Sequence, residues 1–321
     1  MHAIEVAQHG GPDVLVPVER PDPSPGPGEL LVRTDAIGVN FIDTYFRTGL
    51  YGTELPYIPG SEGTGTVVAL GEGVRDTAVG DRVSWCEAPG SYAELVRVRE
   101  QVAVPVPDSV PAEQAASVLL QGMTAHYLLN SVHPAQPGET VLVHAGAGGV
   151  GLILTQLAVA KGVRVITTVS SDEKEALSRE AGAAEVLRYG DDLAEKVREL
   201  TDGEGVAAAY DGVGAATFEA SLASVRVRGT VALFGAASGP VPPFDLQRLN
   251  PAGSLFVTRP TLVHYTRDRE ELLWRAGDVL AALADGSLKL RVGASYPLAE
   301  AARAHADLEG RRTTGSIVLI P

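Results

Sequence analysis

A chain of 321 residues is long for one compact core, and its 45% hydrophobic and 21% charged content is that of an ordinary globular protein, so two domains are expected. A formal net charge of −14 sets it against nucleic acid and anionic lipid, and no apolar run reaches bilayer-spanning length. The single cysteine, Cys86, excludes an intrachain disulfide and every multi-cysteine zinc site, which fits a reducing, cytoplasmic setting.

Residues 1–10 lack an apolar leader core and read as a first strand. Up to residue 120, short β-like runs at 30–36 and 67–70 alternate with proline and glycine, as in PDPSPGPG at 21–28, which predicts an irregular β domain. Inside it, residues 40–51 (NFIDTYFRTGLY) gather Phe41, Tyr45, Phe46 and Tyr51 in a protein only 5% aromatic. Such a cluster is either a small core or the wall of a pocket for a flat ligand. Residues 111–132 then turn helical, with Ala115, Ala116, Val118, Leu119, Met123, Tyr127 and Leu128 at core spacing.

Residues 141–151 (VLVHAGAGGVG) lie near the middle of the chain. An apolar strand runs through glycine into a helix carrying Leu152, Ile153, Leu157 and Ala158. Gly146, Gly148 and Gly151 fall in GxGxxG register, for a tight turn, a close approach to pyrophosphate and a helix packed on a strand. A glycine-rich turn with no ligand would give the same letters, and the strand and helix around it raise its weight. Strand-like runs at 163–169, 185–187, 206–210, 230–234 and 254–258 then alternate with helices at 172–181, 191–200 and 217–225. This is a βα series, and its continuously apolar strands suit a parallel sheet covered on both faces. A helix over 267–285 and a final β run at 316–320 follow, the last returning to the N-terminal domain.

The end of the second strand selects the cofactor. An acidic residue there would hold the adenosine ribose of NADH, but this strand ends in Ser170 and Ser171, with Lys174 following, which suits the 2′-phosphate of NADPH. Asp172 and Glu173 argue the other way, although both fit the favourable start of a helix. The seven histidines show no ligand spacing.

Residues 40–51, GSEGTGTVVAL at 60–70, VGDRV at 79–83, QGMTAHY at 121–127, the glycine turn, DGVG at 211–214 and VTRP at 257–260 together resemble the ζ-crystallin-like quinone oxidoreductase branch of the medium-chain dehydrogenase/reductase superfamily. The resemblance covers nearly the whole chain. It implies an α/β protein with a discontinuous GroES-like β domain (1–121 and 261–321), a Rossmann domain (122–260) with a doubly wound parallel sheet, and a cleft between them. It implies NADPH held by Asn40, Tyr45, Thr124, Ala147, Gly148, Gly149, Val150, Ser170, Lys174, Tyr189, Phe234, Gly235, Ala236, Thr258, Arg259, Pro260 and Arg311. Asn40, Tyr45 and Tyr51 would meet the substrate, with Tyr51 the candidate proton donor, and the strand carrying Ser254 and Thr258 would pair two chains in a homodimer.

The chain departs from the superfamily's zinc alcohol dehydrogenases, which resemble it but carry metal ligands where it has Asn40, Ser61 and Gln121. None of the three is a zinc thiolate or imidazole, so no zinc is expected, and Glu62 and Asp43 read as hydrogen-bonding structure rather than cation ligands. An alcohol needs a Lewis acid to stabilise its alkoxide. A quinone is already electrophilic and needs chiefly positioning beside a nicotinamide. The expected activity is therefore NADPH-dependent quinone reduction. Reduction of an enone or alkenal double bond is the alternative in the same cleft, and a non-catalytic NADPH- or RNA-binding role is the alternative of another class.

Overall fold

Where the proline-rich stretches stop, alternating apolar residues make strands. In the computed structural model, which describes residues 1–321, these are β1 (His2–Glu5), β2 (Val16–Glu19), β3 (Glu29–Val39), then helix α1 (Phe41–Arg47), β4 (Glu62–Leu70), β5 (Arg82–Trp85), β6 (Leu95–Arg99) and β7 (Val104–Pro105). Helix α2 (Ala112–Tyr127) follows and passes into a single wider turn, Leu128–Val132.

The βα series reads β8 (Thr140–Val143), α3 (Gly149–Ala160), β9 (Arg164–Val169), α4 (Asp172–Glu180), β10 (Glu185–Arg188), α5 (Leu193–Glu199), β11 (Val206–Asp211), α6 (Phe218–Ser224), β12 (Val225–Leu233) and β13 (Phe256–Thr258). The chain closes with α7 (Arg269–Ala284), β14 (Val292–Pro297), α8 (Ala301–Glu309) and β15 (Ser316–Ile320). No helix is long and apolar enough to cross a membrane.

Two compact units result, Met1–Met123 with Thr266–Pro321, and Thr124–Tyr265. In the first, the order β14-β15-β3-β4-β5-β7, with β6 also on β3, is antiparallel except for β14 and β15. Ile317 of β15 faces Val39 of β3, so the last strand flanks the residues leading into α1. Trp85, Val32, Val98 and Ala93 form one core layer, and Ile4, Val6, Ile37, Leu319 and Ala304 another. In the second unit, the parallel order β10-β9-β8-β11-β12-β13 is that of a doubly wound sheet, and Leu142, Ile166, Val197, Phe218 and Val231 fill its core.

Several boundaries differ from the sequence pattern. The helix expected through residue 225 stops at Ser224, and Val225 is already extended, so β12 starts five residues before the apolar run at 230. A register shift against β11 and a left-handed Arg228 (φ 59°) accommodate the polar residues that hid this start. The last parallel strand shrinks to three residues because Ser254 is left-handed (φ 54°). Strand β14 and helix α8 had no counterpart in the pattern reading.

Candidate functional site

The glycine turn joins β8 to α3. Its left-handed residue is Ala145 (φ 54°), one position before Gly146, to which the pattern gave the tight turn. Gly146 is required for closeness instead, since a Cβ there would lie 2.5 Å from Thr167 Cβ and 2.8 Å from Ser178 Oγ. A Cβ on Gly151 would collide with the carbonyl oxygen of Ala145. Gly148 is the N-cap of α3 and offers no side-chain cap, which leaves the first-turn amides of Gly149 and Val150 without a capping acceptor on half-exposed residues beside buried Ala147. Backbone donors and the positive end of a helix of 12 residues suit a dinucleotide pyrophosphate, so the cradle fits that group.

The ends of β9 and β10 lie beside the turn. Ser171 caps α4 by accepting from Lys174 N at 3.3 Å, and Lys174 Nζ lies 3.5 Å from Ser170 Oγ. From β10, Tyr189 accepts from Ala145 N at 3.0 Å and stacks on His144 with centroids 6.2 Å apart. His144 is buried, which pushes its pKa down, and touches Thr168 and Ser221 hydroxyls at 2.9 and 3.0 Å. Ser221 donates in turn to Asp211 (2.7 Å), whose other oxygen gathers the amides of Val213 and Gly214. The structure thus brings Ser170, Lys174 and Tyr189 to one end of the sheet on a rigid polar core.

Other expected cofactor residues lie at the same C-terminal edge of this sheet. Phe234, Gly235 and Ala236 follow β12 and zip onto the loop after β11, with Phe234 N donating to Asp211 O and Ala237 N to Gly212 O. Thr258 ends β13 opposite Ala232, followed by Arg259, whose Nη1 donates to the carbonyl of buried Pro260. Thr124 is buried on α2. Arg311 lies in the other unit with a left-handed backbone (φ 56°), beside an Arg312 that Asp307 holds at 2.7 Å.

In the β-rich unit α1 is amphipathic in reverse. Its buried residues are Asp43, Thr44 and Arg47, at 3%, 3% and 1% exposure, while Phe41, Tyr45, Phe46 and the following Tyr51 are half-buried. Tyr51 meets Tyr45 and Phe46 edge-on at 5.3 and 5.6 Å.

Beneath α1 lie Asn40 and Gln121, two of the three positions where the resemblance leads one to look for zinc ligands; the third, Ser61, is half-buried just before β4 and its carbonyl accepts from Ala88 N at 3.1 Å. Asn40 Nδ2 donates to Glu62 Oε2 (2.6 Å), Gln121 Nε2 donates to Asn40 Oδ1 (3.1 Å), and Ser316 Oγ donates to Gln121 Oε1 (2.8 Å). Leu120 N occupies the other Glu62 oxygen at 2.8 Å. Burial pushes the Glu62 carboxyl up to about 8, against these hydrogen bonds. The amides tie one another down, and this donor set does not fit zinc. The Asn40 side-chain oxygen also accepts from the Asp43 amide in a capping box, so the side chain retains one N–H.

A second buried network went unseen in the sequence. Asp43 Oδ2 accepts from Asn40 N (2.9 Å) and from the Tyr92 hydroxyl (3.0 Å). Tyr92 touches His305 Nε2 at 2.9 Å, and Arg47 Nη1 lies 3.2 Å from His305 Nδ1. Arginine can only donate, so Nδ1 accepts, the proton sits on Nε2, and Tyr92 passes its own hydrogen to Asp43. Burial drives Asp43 up to about 7 and, with the Arg47 charge, His305 down to about 3. Arg47 Nη2 closes the chain on Glu309 at 2.7 Å. Scattered single polar residues from α1, the β5–β6 loop and α8 carry no local spacing that announces this set.

Comparison with known proteins identifies the family. Residues 26–108 match the alcohol dehydrogenase GroES-like domain, and residues 149–273 match the family described as zinc-binding dehydrogenase. A quinone oxidoreductase of Pseudomonas aeruginosa is 47% identical, over 99% of both chains. A 2-haloacrylate reductase of a Burkholderia species is 42% identical, over 99% of this chain and 98% of its own. A mycobacterial protein solved in complex with NADPH is 60% identical, with both chains fully covered and a TM-score of 0.98. The chain belongs to the quinone oxidoreductase family of the medium-chain dehydrogenase/reductase superfamily, with a GroES-like domain joined to a Rossmann domain.

Proposed function

We propose that this protein is an NADPH:quinone oxidoreductase that works without a metal. The observation that carries the reading is the Asn40–Gln121 amide pair anchored on Glu62, which with Ser61 puts no thiolate or imidazole where the resemblance leads one to look for zinc ligands. An acceptor that needs no Lewis acid, such as a quinone, then becomes the fitting substrate.

When bound, NADPH supplies a hydride to the acceptor. The amides at the start of α3 hold its pyrophosphate, and Ser170, Lys174 and Tyr189 hold the adenosine 2′-phosphate. Thr124, residues 234–236, residues 258–260 and Arg311 complete the cofactor walls. Tyr45 and Tyr51 offer flat surface and phenolic donors, supported by the outward face of α1, and Asn40 uses its remaining N–H on substrate or cofactor oxygen. Tyr51 is the candidate proton donor, and Tyr51→Phe with undiminished quinone turnover removes it from that role.

The protein acts in the cytoplasm, in keeping with its one buried cysteine, and pairs as a homodimer through β13. There Phe256 stands 62% exposed on the sheet's outer strand. A panel of quinones and simple enones under saturating NADPH tests the substrate class. Faster turnover of 1,4-benzoquinone is expected; faster turnover of the enone would transfer the assignment to double-bond reduction, the reading favoured by the Burkholderia relative. Stoichiometric zinc in the purified protein would contradict the metal-free reading.

A further inference from the structure

Three acids crowd the start of α4: Asp172, Glu173 and Glu175. On their own they would repel a 2′-phosphate next to Ser170, and Lys174 is one positive charge against three. The structure supplies a further cation from the neighbouring strand. Arg188 ends β10 in register with Val169, the residue before Ser170. Its Nη2 reaches Asp172 Oδ1 at 2.6 Å and Glu175 Oε2 at 2.8 Å, spanning both carboxylates. Arg179 holds the other Glu175 oxygen at 2.9 Å. Arg188 Nη1, meanwhile, is shielded from solvent with no hydrogen-bond partner. Its orphan donor is an uncommon feature that an anionic oxygen would satisfy.

We propose that Arg188 is a specificity-determining positioning residue. It neutralises Asp172 and Glu175, and so lets the ribose end of the nucleotide site accept a 2′-phosphate. The inference rests on the NADPH assignment above and deepens it. With Arg188, Lys174 and Arg179 the three acids are balanced charge for charge; without Arg188 the pocket carries a net negative charge against a dianion. Asp172 and Arg188 are both open to water, so screening limits the effect to a shift in preference.

The test uses the whole protein and two fragments, adenosine 2′,5′-bisphosphate and adenosine 5′-monophosphate, with dissociation constants from calorimetry at low and at physiological salt. In Arg188→Met, the bisphosphate constant is expected to rise about tenfold at low salt and less at high salt, while that of the monophosphate stays within about twofold. Retained monophosphate binding shows that the variant is folded. Adding Asp172→Asn and Glu175→Gln to Arg188→Met is expected to restore bisphosphate binding to within about threefold of the parent. An unchanged bisphosphate constant, an equal loss for both fragments, or no rescue would overturn the role of Arg188. A parent protein with no preference for the bisphosphate would instead bring down the NADPH assignment, an outcome visible before any variant is made.

Discussion

The glycine turn and the polar bed beneath α1 are built in opposite ways. In the turn the chain works by what is missing: no Cβ at Gly146 or Gly151, and no side-chain cap at Gly148. Beneath α1 it works by what is packed in, with Asp43, Arg47, Glu62, Tyr92 and His305 buried and hydrogen-bonded. The first region tolerates little added volume. The second tolerates little removed charge, because each group left behind is a buried polar atom without a partner.

The largest expected effect breaks the polar bed. Arg47→Met leaves the His305 and Glu309 acceptors unpaired and is expected to cost about 4 kcal/mol, read from urea unfolding. An effect near zero would mean that the network does not hold α1. Next comes the converse change in the turn. Gly151→Ala places a methyl against the Ala145 carbonyl and is expected to cost about 3 kcal/mol by the same measurement, with weaker NADPH binding.

The two regions also differ in how they respond to pH. Asp43 and Glu62 have folded pKa values raised to about 7 and about 8, so each binds more protons folded than unfolded and favours the folded state less as pH rises. His305, lowered to about 3, acts oppositely, but chiefly below the ordinary imidazole range near 6.5. Between about pH 6.5 and 8 the two carboxyls outweigh the buried histidines, and stability is expected to fall by about 2 kcal/mol. Glu62→Gln should remove more than half of that decline, since the Asn40–Gln121–Ser316 chain can reverse its amides to suit a neutral partner. A decline of full size in the variant would assign it elsewhere. The smallest effect sharpens the nucleotide side: Lys174→Ala is expected to raise the KM for NADPH about fivefold and leave that for NADH unmoved.

The contrast also explains what the sequence made legible. A turn made of glycines between an apolar strand and a helix is local, so residues 141–151 revealed it along with the parallel sheet. The pattern gave the tight turn to Gly146, whereas the left-handed residue is Ala145 and Gly146 serves close approach to Thr167 and Ser178, which letters alone do not distinguish. The bed beneath α1 joins residues as distant as Arg47 and His305, and no period links them. The aromatic stretch was visible, but the side it shows was not, because α1 buries its charged face. Arg188 lies just past the run at 185–187 and carries no local signal, since its register with Val169 is what sets it beside the acids of α4.

The most direct test of the functional account is steady-state reduction of 1,4-benzoquinone by the purified, zinc-free protein, with NADPH and NADH compared in the same assay. The account expects quinone-dependent oxidation with a much higher kcat/KM for NADPH. Equal or better use of NADH, or NADPH binding with no turnover on any acceptor, would contradict it.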